Sequence, residues 1–144
     1  MLKRREFWND YLFWIAAACG PVCCLLLVVA GLPVNYNPLN WLLIFWSVLV
    51  YPVLEEIVFR GGLQTFLMAR EVFKRRYLGV SLANVVTSVL FAVLHLVSHA
   101  PVWAALIFIP SLVFGAARDR YDGIAASIIL HMLYNAGFIA LFVR

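Results

Sequence analysis

The sequence predicts an all-α membrane protein, a compact bundle of about five transmembrane helices whose N-terminus lies in the cytoplasm. Two observations carry this prediction: the composition, and the alternation of apolar segments with basic loops. The 144 residues are 65% hydrophobic and only 12% charged, with a mean hydropathy of +0.96. A soluble domain averages about 45–50% apolar and about 25% charged residues. No linker interrupts the chain, which favours a single transmembrane helical domain over residues 1–144.

Five apolar segments define the helices. They cover residues 11–32, 41–68, 79–98, 102–117 and 124–143. Most of these segments approach or exceed the roughly 20 residues that a helix needs to cross the hydrocarbon layer. The segment from 102 to 117 is shorter than a full crossing requires, and Pro110 is expected to bend it.

The basic residues mark the topology of the bundle. Residues 1–10, 69–78 and 118–123 contain three, four and two Lys or Arg, whereas residues 31–40 and 98–101 contain none. Cytoplasmic loops of membrane proteins carry the excess of Lys and Arg. The alternation therefore predicts a cytoplasmic N-terminus. It also explains the net charge of +4 without a nucleic-acid partner.

The second segment carries charge inside the predicted membrane. Glu55, Glu56 and Arg60 lie within an otherwise apolar stretch, where each charge costs roughly 2.5 kcal/mol or more unless it is paired or faces a cavity. Glu56 and Arg60 are four residues apart and can neutralise each other on one helix face. Glu55 then has no partner in its own helix, and we expect its partners to come from other segments.

Three segments each present a stripe of polar side chains at helical spacing. The stripes are Ser47, Tyr51 and Glu55; Asn84, Ser88 and His95, with the apolar Phe91 on the same face; and Ser127, His131 and Asn135. Lipid offers polar groups no partners, so the stripes are expected to face one another. At about 1.5 Å per residue, Glu55, His95 and His131 can meet near the midplane or in the outer half of the membrane.

These residues allow a structural and a catalytic interpretation. A single histidine inside a membrane is more often an interhelical hydrogen bond than a catalyst, and the Ser and Asn side chains suit helix packing. An ionisable cluster inside a membrane, however, is a functional site by default. The Glu55 carboxylate could take a proton from water. One imidazole could hold that water, while the other, with the Asn135 amide, could donate to an oxyanion.

Pattern searches exclude several protease classes. The sequence has no His-Glu-x-x-His, no Gly-x-Ser-x-Gly and no pair of intramembrane aspartates. A glutamate-activated water remains as the hydrolytic hypothesis. Two non-enzymatic alternatives stay open: an immunity or scaffold protein that binds a peptide with the same polar stripes, and a small transporter with a protonatable Glu55.

Three motifs on three separate segments resemble a known family. They are Glu55-Glu56-x-x-x-Arg60, Phe91-x-x-x-His95 and His131-x-x-x-Asn135. In this order they resemble the CAAX protease and bacteriocin-processing family, also called Abi or type II CAAX prenyl endopeptidases. The resemblance covers about residues 41–143, which would be the catalytic core.

The resemblance implies a glutamic-type intramembrane endopeptidase. By this likeness Glu55 is the general base, His95 positions the attacking water, and His131 with Asn135 forms the oxyanion site. The supporting positions are Glu56, Arg60, Phe91 and Tyr51. We expect no cofactor, although four ligands of the oxygen and nitrogen type could also hold Zn²⁺.

The expected substrate is a membrane-anchored protein or peptide in the lipid bilayer. The short chain favours a protein with a C-terminal sorting signal in a bacterial inner membrane. A prenylated CAAX protein is the alternative. A substrate helix is expected to enter sideways between helices, where Gly61, Gly62 and Gly115 would leave room.

Overall fold

A computed structural model of the protein describes residues 6–34, 38, 40–121 and 123–142. Within these residues the chain forms five main helices, α1 Tyr11–Val29, α2 Trp41–Met68, α3 Leu82–His95, α4 Pro101–Tyr121 and α5 Ala125–Phe142. All except α3 are long and apolar enough to cross a membrane. The predicted all-α membrane bundle is confirmed.

Some of the sequence-based expectations lie outside the described residues. These are the basic cluster Lys3, Arg4 and Arg5, residues 35–37 and 39 of the loop before α2, and Asp122 of the loop before α5. Short 3₁₀ turns at Phe7–Asn9 and Glu71–Lys74 accompany the main helices.

Helix α2 is continuous but is not α-helical throughout. Two π-helical stretches, Phe45–Val50 and Ile57–Gln64, flank the α-helical turn Tyr51–Glu56 that carries both glutamates. Pro52 has no backbone N–H, so it cannot donate to the turn before it, and that turn widens. The sequence pattern gave no sign of either stretch, and π-helical turns are frequent at functional sites.

Helix α3 is shorter than predicted because a β-hairpin occupies its expected start. Strand β1, Arg76–Tyr77, pairs antiparallel with β2, Val80–Ser81. The two residues between the strands, Leu78 and Gly79, have φ of 51° and 83°. Two positive φ angles are what a type I′ hairpin turn requires. Ser81 then caps α3 by accepting a hydrogen bond from the backbone N–H of Asn84 over 3.1 Å.

Helix α4 is longer than predicted. A loop was expected to begin at residue 118, and this prediction is wrong for residues 118–121, which continue the helix. Asp119 belongs to the helix and accepts a hydrogen bond from Nε2 of Gln64 over 2.7 Å. Arg120 reaches Asp10, the N-cap of α1, also over 2.7 Å. Contacts with α1 and α2 therefore stabilise the last helical turn, where the charges alone suggested a surface loop.

Small residues in the bundle accommodate large neighbours. A Cβ atom at Gly115 of α4 would overlap the Asn84 side chain of α3, whose Nδ2 donates to the carbonyl of Leu112 over 2.9 Å. The space beside Gly115 is therefore occupied by Asn84, and the expectation that Gly115 leaves room for a substrate is wrong. Gly20 of α1 likewise has no Cβ, and the ring of Tyr134 packs in the space that a Cβ would occupy.

Candidate active site

A buried ion pair forms the base of the site. Nη1 of Arg60 lies 3.0 Å from Oε1 of Glu56, and both side chains are fully buried. Nη2 of Arg60 donates to the carbonyl and to the hydroxyl of Ser111 over 2.8 and 2.7 Å. The guanidinium also lies 4.9 Å from the ring centroid of Phe91 and 5.6 Å from that of Phe114. These contacts join α2 to α3 and α4 and compensate the cost of burying the charge.

His131 is held in one orientation by this pair. Its Nδ1 lies 2.9 Å from Oε1 of Glu56, and its ring stacks on Phe114 with centroids 4.7 Å apart. A carboxylate only accepts hydrogen bonds, so Nδ1 carries the proton. Nε2 then points away from Glu56 and lies 3.6 Å from Oε2 of Glu55. This separation exceeds a hydrogen bond. A doubly protonated ring could donate from Nε2 to Glu55 after a shift of about 0.5 Å.

Glu55 lies at an open cleft, unlike its buried neighbour Glu56. Its side chain is 31% exposed. The cleft has a volume of about 240 Å³ and is lined by Glu55, Phe59, Leu94, His95 and Ser98. It therefore brings together side chains of α2, of α3 and of the turn that follows α3.

His95 contributes a hydrogen-bond acceptor to the same cleft. Its Nδ1 lies 2.8 Å from the carbonyl of Phe91, one helical turn earlier. A carbonyl cannot donate, so Nδ1 carries the proton and Nε2 of the neutral ring keeps a free lone pair. The ring is also held by Phe91, with centroids 4.5 Å apart. The cleft thus combines one carboxylate and one imidazole whose Nδ1 is already bonded to the backbone.

Asn135 lies one turn beyond His131 and contacts α2. Its Nδ2 donates to the carbonyl of Ser47 over 2.8 Å. Ser47 lies inside the first π-helical stretch, where the widened turn makes its carbonyl available. The amide has two N–H groups, and the other one remains available for a second acceptor.

Tyr51, expected among the supporting residues, does not line the cleft next to Glu55. Its side chain is 49% exposed, and its ring packs on Trp46 with centroids 5.8 Å apart. The first π-helical stretch changes the number of residues per turn between Ser47 and Tyr51, whereas Tyr51 and Glu55 remain one α-helical turn apart.

The described residues contain no group of three or more His, Cys, Asp or Glu side chains placed to hold a metal ion. This arrangement does not fit the zinc site considered from the sequence, and we derive no step through a metal.

The comparison with protein families connects this geometry to a known group. A model of the type II CAAX prenyl endopeptidase Rce1-like family matches residues 37–137, most of the chain. The chain belongs to this Rce1-like family. Membership supports an intramembrane endopeptidase of the CAAX type in general terms, and it confirms the family resemblance of the three motifs. Searches of curated proteins and of solved structures found no match.

The motifs did not predict several residues that build this candidate site. They are Phe59, Leu94, Ser98, Ser111 and Phe114. Helix α4 carries none of the motifs, yet Ser111 is the only hydroxyl between residues 101 and 117, and this isolation was a usable signal. The apolar members gave no comparable signal, because nothing separates them from ordinary membrane residues.

Proposed function

We propose that this protein is a glutamic-type intramembrane endopeptidase that cuts a peptide bond of a membrane-anchored protein with a water activated by Glu55. One observation carries the proposal: Glu55 and His95 line one open cleft, while Nε2 of His131 lies 3.6 Å from Oε2 of Glu55. An acid–base group and a second acceptor thus line one open cleft, and a potential donor lies next to the acid–base group.

The attacking water would be held by two acceptors. One of its hydrogens bonds the carboxylate of Glu55, and the other bonds Nε2 of His95, whose proton is on Nδ1. The water oxygen then directs a lone pair towards the substrate carbonyl. As the bond between oxygen and carbon forms, Glu55 takes the water proton, and it later delivers that proton to the leaving amine.

The oxyanion would be stabilised from the opposite side. A protonated His131 donates from Nδ1 to Glu56 and presents Nε2–H next to Glu55. The free N–H of Asn135 is the second donor. Glu56 and Arg60 orient His131, and Phe91 orients both His95 and Arg60. Donors that are already in place lose little free energy to reorganisation during the reaction.

For the substrate, we propose a protein with a C-terminal sorting signal, in the inner membrane of a bacterium. The cleft extends from Glu55 to Ser98, in a turn without Lys or Arg that is predicted on the outer side. The second candidate is a prenylated CAAX protein, which membership of a family of CAAX prenyl endopeptidases favours.

A Glu55→Gln variant tests the proposal. The test compares membrane-anchored proteins, by mass spectrometry, in cells with the unmodified protein and in cells with the variant. General-base catalysis contributes about 10²–10⁴-fold, so cleavage products should fall by at least that lower factor. Glu71→Gln is the matched control, because Glu71 is exposed and pairs only with Lys74 among the described contacts.

Each alternative gives a different result in this test. A peptide-binding protein retains its partner in the variant and yields no cut product from either form. A transporter shows a flux that depends on Glu55, again without a cut product. Normal cleavage by folded Glu55→Gln protein would rule out the proposed mechanism.

A further inference from the structure

The cleft next to Glu55 has two apolar walls. Phe59 follows Glu55 on α2, and Leu94 precedes His95 on α3. The Phe59 ring is fixed edge-on against Phe91, with centroids 4.9 Å apart and an interplanar angle of 85°. Leu94 is 58% exposed and so leaves the cleft open on that side. One wall is rigid, and the other borders the opening.

The cleft is large enough for a side chain together with a water. Its volume is about 240 Å³. An apolar cavity of about 150 Å³ binds benzene, and a water occupies about 30 Å³ of the liquid. A branched aliphatic or aromatic side chain can therefore lie between Phe59 and Leu94 while a water stays at Glu55.

We propose that Phe59 and Leu94 determine specificity, as the walls of the subsite that holds an apolar side chain adjacent to the scissile bond. This inference rests on the proposed function. An acidic side chain would face the Glu55 carboxylate at short range and be repelled. A lysine would pair with Glu55 and prevent it from acting as the base. Aliphatic and aromatic side chains meet neither obstacle and bury apolar area against both walls.

The first test does not require a cleavable substrate. An apolar carbodiimide reacts with a protonated carboxyl: the oxygen bonds to the central carbodiimide carbon, the proton moves to a nitrogen, and rearrangement gives a stable N-acylurea without a leaving group. The probes are dicyclohexylcarbodiimide and the smaller diisopropylcarbodiimide. Peptide mass spectrometry measures labelling at Glu55 in protein held in nanodiscs, and Glu55→Gln removes the labelled position.

Leu94→Trp should fill the cleft. Forcing a bulky group into the filled site should slow labelling by the dicyclohexyl reagent about tenfold or more, and labelling by the diisopropyl reagent much less. Leu54→Trp is the matched control, because Leu54 adjoins Glu55 in sequence, is 53% exposed and does not line the cleft. It should leave both rates unchanged. Phe59→Leu should speed labelling by the larger reagent.

The proposal is overturned if the diisopropyl reagent labels Glu55 in the unmodified protein and the dicyclohexyl reagent does not; if neither labels it, the peptide test below decides. Equal rates in the Leu94→Trp and Leu54→Trp variants overturn it as well. Thermal unfolding of each variant shows whether it is folded, and Leu94 is exposed enough for the larger side chain to be tolerated.

A second test separates this inference from the proposed function. Peptides with one transmembrane segment and randomised residues beside it are incubated with the protein, and cut sites are read by mass spectrometry. Cleavage next to large apolar side chains that shifts to smaller ones in Leu94→Trp supports both proposals. Cleavage with an unshifted preference overturns the subsite alone. No cleavage, with the labelling pattern intact, overturns the protease proposal and leaves an apolar ligand site.

Discussion

His131 donates its Nδ1 proton to Oε1 of Glu56 over 2.9 Å, and the same oxygen accepts from Arg60 over 3.0 Å. The second glutamate of the Glu-Glu pair thus acts on the imidazole. It fixes the orientation of the ring and directs Nε2 towards Glu55. The two adjacent carboxylates consequently have different tasks, one structural and buried, the other at the open cleft.

Glu56→Gln should destabilise the fold strongly. The substitution leaves Arg60 buried without its counter-charge, and breaking a buried ion pair from one side costs about 3–5 kcal/mol. Thermal unfolding in detergent measures the loss. Glu55→Gln is the control and should cause a small change, because Glu55 is partly exposed. A double variant, Glu56→Gln with Arg60→Met, should recover part of the stability. Equal unfolding temperatures for the two single variants would contradict this account.

Asn135→Ala should lower the rate of cleavage about 10²–10³-fold if the free amide N–H binds the oxyanion. Asn84→Ala is the matched control, because Asn84 also donates to a backbone carbonyl, that of Leu112, but lies away from the cleft. It should lower the stability and leave the rate per folded molecule unchanged. If both variants lose stability and neither loses rate, Asn135 serves only to hold Ser47.

Gly115→Ala should disrupt the packing of α3 on α4. The new Cβ would overlap the side chain of Asn84, and overpacking of this kind costs about 1–3 kcal/mol. Gly62→Ala is the control, since a Cβ there meets only the carbonyl of Ile57 at 3.6 Å. Combining Gly115→Ala with Asn84→Ala should relieve the overlap. If Gly115→Ala unfolds at the temperature of the unmodified protein, α3 and α4 pack differently.

The contact between α1 and α4 should weaken in acid. The hydrogen bond from Arg120 holds the pKa of Asp10 below its ordinary value of 3.8, which the unfolded chain keeps. The stabilisation is therefore complete above that value and is lost as the pH falls through the lowered pKa. Unfolding temperatures of the unmodified protein and of Asp10→Asn, measured from pH 7 downwards, should converge below about pH 3.8. Curves that stay parallel would show that the pair contributes nothing.

Leu78→Asn should stabilise the β-hairpin. Leu78 is fully exposed and has a φ of 51°, a conformation that costs most L-residues about 1–2 kcal/mol and that Asn adopts more readily. The resulting Asn-Gly pair is the preferred sequence for a type I′ turn. The unfolding temperature should rise, whereas Tyr77→Asn on strand β1 should lower it or leave it unchanged. A fall in Leu78→Asn would indicate that Leu78 makes a contact in the micelle.

The bundle and part of its polar cluster were predictable from periodicity. Glu55, His95 and His131 could be grouped because lipid forces polar stripes to face one another, and this requires only spacing and composition. The hairpin and the extended end of α4 were not predictable in the same way. The turn depends on a leucine with positive φ, and the last turn of α4 depends on distant partners such as Asp10 and Gln64.

The positions of Tyr51 and Asn135 illustrate the same limit within the site. An ideal helix places residues 47, 51 and 55 on one face, but the π-helical stretch Phe45–Val50 changes the number of residues per turn between 47 and 51. Asn135 bonds to a carbonyl inside that stretch. A pattern based on 3.6 residues per turn cannot locate an irregular turn, so it cannot predict which groups that turn redirects.

The fourteen residues of α3 have a consequence for the surrounding lipid. At about 1.5 Å per residue this helix is about 21 Å long, whereas the hydrocarbon layer is about 30 Å thick. Hydrophobic mismatch of this size thins the adjacent leaflets or admits headgroups beside the short helix. The protein should therefore create a local depression in the bilayer next to His95, which would shorten the path from bulk water to a hydrolytic reaction inside the membrane.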